Sequence, residues 1–113
     1  MKNQIHKSLL QGVKDLHIKI LQSNNLPEIG NYLQEILDKV IPVPTATNKR
    51  IMTPDMKGLS KSRIINMMKS DIQSIVDGTY NRAEIAKYKA SLSIAWLKRL
   101  FTEPTAQSSE LNA

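Results

Sequence analysis

Six apolar residues, Ile29, Tyr32, Leu33, Ile36, Leu37 and Val40, fall at i, i+3, i+4, i+7, i+8 and i+11. Only an α-helix puts all six on one side, because one turn takes 3.6 residues. Pro27 suits the first turn of that helix, where its missing N–H costs nothing. Upstream, Ile5, Leu9, Val13, Leu16 and Ile20 repeat the period, and Leu10, His17 and Leu21 widen the stripe. A helix over 3–22 and a second over 27–40 are therefore predicted. The break between them, Ser23-Asn24-Asn25-Leu26, is short, so the two helices run antiparallel as a hairpin.

Three of the five prolines, Pro42, Pro44 and Pro54, interrupt the pattern between residues 41 and 58. Proline removes a donor and restricts the residue before it, so no long helix crosses this segment. It either wraps the bundle or extends as an arm, and Thr53-Pro54-Asp55 suits one capped helical turn. The period resumes over 60–77, with Ser60 as cap and Gly78 at the stop. Ile64, Ile65, Met68, Ile72, Ile75 and Val76 share its apolar face. Ser70-Asp71-Ile72-Gln73 reads as an internal capping box, so this stretch is one helix or two short ones. A last helix spans 81–101, with Asn81 and Glu84 at the capping-box positions and Tyr80 and Ile85 as a hydrophobic staple. Ile85, Tyr88, Leu92, Ala95, Trp96 and Leu100 form its main stripe, extended by Ala86, Ala90, Ile94, Leu97 and Phe101. So apolar a helix is expected to be central, with Trp96 buried.

The fold class that follows is all-α: a small bundle of four main helices, two helical hairpins joined by a proline-rich connection. Residues 1–101 form one helical domain and 102–113, with Pro104 and small polar residues, a disordered polar tail. Only 4% of the 113 residues are aromatic, so the core is aliphatic. No apolar run is long enough to span a membrane, and the start lacks a signal-peptide h-region. The expected address is cytoplasmic.

Catalytic signatures are missing. There is no cysteine. His6 and His17 stand three helical turns apart, ~16 Å, too far to share a metal. No phosphate-binding glycine loop, HExxH or GxSxG occurs. The chain is expected to be no enzyme and to hold no metal or cofactor.

Charge is unevenly spread. Residues 41–101 carry eleven Lys/Arg and four acids, a net of +7, against +1 before them and −2 after them. A basic middle of this kind points to a polyanionic partner. The expected phosphate contacts are Lys49 and Arg50 on the proline-rich segment, and Lys61, Arg63, Lys69, Arg82, Lys87 and Lys98 on the later helices.

Within 60–82, the Ile72-x-x-Ile75-x-x-Gly78 spacing resembles the second helix of phage-repressor-type helix-turn-helix proteins. The resemblance implies a helix-turn-helix-like element with Ser70 starting the second helix. Gln73 and Ser74 would then face base edges in the major groove. The resulting reading is a small basic helical nucleic-acid-binding protein, a DNA-binding regulator or accessory factor, with DNA favoured over RNA. The alternative is a cytoplasmic protein-binding bundle, an adaptor or inhibitor. In size and helical pattern it is similar to the immunity proteins of bacteriocin producers, and Met56, Met67 and Met68 suit an adaptable contact surface. Self-association as a homodimer through the apolar last helix is a further expectation.

Overall fold

A computed structural model describes residues 2–46, 49–54 and 58–102, with side chains from His6 onward. Four helices dominate: α1 (Lys2–Gln22), α2 (Leu26–Val40), α3 (Lys61–Val76) and α4 (Ala83–Thr102). They match the predicted spans to within two residues at each end. Between α2 and α3 lie two short strands, β1 (Arg50–Ile51) and β2 (Leu59–Ser60). These pair antiparallel, Arg50 opposite Ser60 and Ile51 opposite Leu59. Two-residue strands are too short to leave an alternation in the sequence, so the all-α expectation holds with this small addition. No described helix is long and apolar enough to cross a membrane.

The helices close into a ring. α1 packs on α2, α2 on α3, α3 on α4 and α4 back on α1, with α2 and α4 also touching across the middle. Ile20, Ile29, Leu33, Ile36, Leu37, Ile64, Met68, Ile94 and Leu97 are all but fully buried inside it. The regular stripe of α2 is buried as expected, apart from half-exposed Tyr32. Leu21 and Val76, at the helix ends, face solvent instead of the core.

The local signals act as follows. Asn25 caps α2 by accepting from the Glu28 N–H at 2.9 Å, and Pro27 lies in the first turn. Ser60 caps α3, accepting from the Arg63 N–H at 3.2 Å. Gly78 ends that helix with φ +83°, a left-handed conformation that costs glycine little. The α4 start differs from expectation by one residue. Arg82, not Asn81, holds the N-cap position: its carbonyl accepts from the Ile85 and Ala86 N–H groups. Glu84 bonds the Arg82 side chain at 3.0 Å.

The described parts of the 41–60 connection wrap the bundle. Ile51 and Leu59 are buried in the core. The Lys61 ammonium donates to the carbonyls of Ile41 at 2.8 Å and Val43 at 2.6 Å, fastening the exit of α2 to the start of α3. The Arg99 guanidinium donates to the Met52 carbonyl at 3.0 Å. Asp55, Met56, Lys57 and the tail after Thr102 lie outside the described residues.

Two further corrections bear on function. α3 is one continuous helix with Ser70 exposed in its middle, the first of the two alternatives, so the turn before Ser70 that the helix-turn-helix resemblance implies does not form. The inward face of α4 is Ala86, Ala90, Ser93, Ile94, Leu97 and Leu100, whereas Ile85 and Tyr88 are exposed and Trp96 is only half-buried. The small residues Ala86, Ala90 and Ser93 let α4 approach its neighbours closely, and that packing selects the inward face. Of the stripe expected to be central, Leu100 is buried, Leu92 and Trp96 are half-buried, and Ile85, Tyr88 and Ala95 face outward.

Two predictions follow from this packing. Lys61→Ala leaves two carbonyls without their charged donor and should cost about 1–3 kcal/mol in chemical denaturation. His17 shares a 2.9 Å hydrogen bond with Ser91, and burial, then Lys98, holds its pKa below the ordinary 6.5. The neutral ring is the folded form, so its contribution is complete above 6.5 and is lost as pH falls through the lowered value. Wild type should therefore lose more stability than His17→Gln between about pH 7.5 and about pH 5, measured by urea unfolding.

Candidate nucleic-acid interface

The expected basic residues do not form one surface. Lys61 is half-buried and committed to backbone carbonyls, and burial lowers its pKa; it is a fastening of the fold, not an exposed phosphate contact. Arg82 is paired with Glu84. Lys87 donates to Asn24 Oδ1 at 3.1 Å, towards the α1–α2 turn. Lys98 lies over another depression, of about 350 Å³ between α1 and α4, with Lys7 and Lys14. Lys49 is half-buried, and Lys69 and Gln73 are exposed on α3. Ser74 is tied into the α3–α4 turn, its carbonyl accepting from the Tyr80 N–H at 2.9 Å and its hydroxyl bonding the phenol. With α3 unbroken, Gln73 and Ser74 do not stand at the start of a recognition helix.

Arg50 and Arg63 do come together. They line a cleft of about 580 Å³ with Trp96, Gly58 and the β2 residues Leu59 and Ser60. The local geometry comes from the small sheet. β1 carries Arg50, β2 leads directly into α3, and Arg63 follows in the first turn. Gly58 has φ +78°, and the Arg50 Cδ lies 3.5 Å from where a Cβ there would stand. A side chain at 58 would meet the Arg50 side chain at ordinary contact distance, but the positive φ would strain it.

The cleft continues along the seam of α3 and α4. One branch follows α3 past Ser62, Asn66, Met67 and Ser70. The other lies between the helices, where Met67, Leu92, Trp96 and Lys89 surround the buried carboxylate of Asp71. Tyr80 donates its phenol to Asp71 Oδ1 at 2.8 Å, and Ser93 also bonds that carboxylate. Burial raises the Asp71 pKa above the usual carboxylate value, against the opposing pull of Tyr80, Lys89 and Ser93. The Tyr80 phenol is pushed up to about 12 by its own burial and by this carboxylate. Chemically, the groove offers two guanidiniums, an indole face, hydroxyls and one buried anion. No cluster of three or more metal-ligating side chains occurs among the described residues.

Trp96 and Lys89 were not among the expected contacts. A signal existed: Trp96 lies on the Ile85–Tyr88–Leu92 line, about 100° around the helix from the Ala90–Leu97 line. A helix with two apolar lines has one to spare, but in the sequence the small residues of the packed line look only like an extension of the other. No protein-family model, curated protein or solved structure matches the chain, so neither the helix-turn-helix resemblance nor the immunity-protein likeness gains support from a relative.

The half-exposed position of Trp96 has a direct consequence for stability. Leu97→Ala, which empties a core site, should cost about 2–5 kcal/mol, and Trp96→Ala clearly less despite removing more atoms. Denaturant melts of the two variants check the order.

Proposed function

We propose that the protein binds single-stranded nucleic acid along the α3–α4 seam, without catalysing a reaction. The observation that carries this reading is the meeting of Arg50, Arg63 and Trp96 in one open cleft. Guanidiniums bind phosphates as planar, multi-donor cations. An aromatic face stacks any base, and stacking beside a cationic groove is the usual basis of single-strand binding. Tyr88, 63% exposed, stands eight residues before Trp96, ~12 Å along the α4 axis and about 80° around it. It supplies a second stacking face for a strand that leaves the cleft. The net charge of +6 favours encounter with any polyanion.

The reading differs from a duplex-reading regulator. Lys87 and Trp96 are nine residues apart on α4, half a turn of direction, so a rigid duplex seated on one does not reach the other. A single strand needs only the groove and its rim.

Binding of single-stranded RNA, single-stranded DNA and duplex DNA at several salt concentrations tests the proposal. With Arg50 and Arg63 each holding one phosphate, the single-strand log–log salt slope should be about −1.4, and Arg50→Ala or Arg63→Ala should remove about half of it. Trp96→Ala should weaken binding with the slope unchanged. Equal binding by a folded Arg50→Ala, Arg63→Ala double variant would end this reading. Salt-insensitive association with itself or with another protein through Ile85 and Tyr88 would then favour the protein-binding bundle.

A further inference from the structure

Asp71 is only 7% exposed, yet its carboxylate forms part of the wall of a depression of about 270 Å³ that opens beside Trp96. Phosphate binding has no use for an anion there. Within the fold the carboxylate receives the Tyr80 phenol at 2.8 Å and the Ser93 hydroxyl. An ionised carboxylate has about four acceptor positions, so these two donors leave about half of them unfilled. Lys89, on α4, belongs to the same wall and is close enough to act on the Asp71 charge. It can donate but not accept. Met67, Leu92 and the Trp96 ring supply the apolar surface between them. The depression therefore asks for a flat ring with N–H donors on one part of its edge and an acceptor on another.

We propose, on the strength of the single-strand reading above, that this depression receives one guanine base. Its N1–H and N2–H face Asp71, its O6 faces Lys89 and its ring lies against Trp96. Guanine presents two neighbouring donors beside an acceptor on its Watson–Crick edge. Adenine and cytosine each offer one amino donor there, and uracil offers one imino donor between two carbonyls. Bases splayed from a single strand are commonly read on this edge while stacked on an aromatic ring. The cleft with Arg50 and Arg63 holds the backbone; the Asp71 depression selects the base.

The test uses the full chain, its sole tryptophan as the fluorescent reporter, and three hexanucleotide RNAs. One is all uridine, one has a central guanosine, and one has inosine there, which lacks the N2 amino group. The guanosine strand should bind about tenfold more tightly than the uridine strand, and inosine should lose most of that gain. Asp71→Asn should abolish the preference while the uridine strand keeps its affinity and salt slope. Should Asp71→Asn fail to fold, the inosine comparison on the wild-type chain decides. Equal affinity for all three strands with the salt slope intact overturns base selection and leaves single-strand binding standing. Retention of the preference by folded Asp71→Asn also overturns it. Absence of binding by every strand overturns both.

Discussion

The close packing of α4 through Ala86, Ala90 and Ser93 decides most of what the surface of this protein looks like. Dispersion forces fall steeply with distance, so a helix with a small-residue face gains most by turning that face inward. Ile94, Leu97 and Leu100 then enter the core beside it. The same rotation carries Ile85 and Tyr88 out to solvent and leaves Trp96 at the rim of the bundle. Had the larger side chains faced inward, the seam between α3 and α4 would have been filled and the cleft against Arg50 and Arg63 closed.

A second constraint is the way the chain travels from α2 to α3. Proline removes donors from this stretch, and a buried backbone group without a partner is costly. The structure meets that demand with cations. Lys61 serves the carbonyls of Ile41 and Val43, and Arg99 serves Met52. Together with buried Ile51, these contacts hold β1 against the bundle and fix where Arg50 emerges. Part of the positive charge of the middle region is thus spent on the fold. Charge summed over a sequence interval overstates what a partner can touch.

The helices were legible because each spans at least four turns with a repeated apolar pattern, and because Asn25, Ser60 and Gly78 punctuate them by local chemistry. What failed to show was the choice between alternatives that are locally equivalent. Ser70 has capping chemistry, but the unbroken burial of Ile64, Met68 and Asp71 along one line keeps α3 whole. Asn81 is a better capping residue than Arg82, yet the helix begins one residue later. On α4 both apolar lines have the right period, and only tertiary packing distinguishes them. Lys61 carried no mark of its carbonyl partners, which are eighteen and twenty residues away. The candidate site suffered most, because Arg50, Arg63 and Trp96 come from three elements and nothing in their spacing brings them together. Of those three, only the two arginines were anticipated, and for their charge alone.

The buried carboxylate of Asp71 links stability to the seam. It joins α3 to the Tyr80 turn and to α4 through hydroxyl donors, while its own burial opposes ionisation. A raised carboxyl pKa means that this group favours the folded state most when protonated and loses that advantage as pH rises through the folded value. An amide at 71 would therefore keep hydrogen-bonding capacity without the ionisation cost, and a purely structural role gives no reason to prefer the acid. A ligand that brings further N–H donors to the same oxygens reverses the balance. It stabilises the ionised form in the bound state and draws the Asp71 pKa back down. On the proposed function, the carboxylate is under-satisfied when the groove is open and better satisfied when it is filled. Binding and protonation at Asp71 are then coupled: acidification through the folded pKa of Asp71 weakens base selection while the two guanidiniums go on holding the backbone.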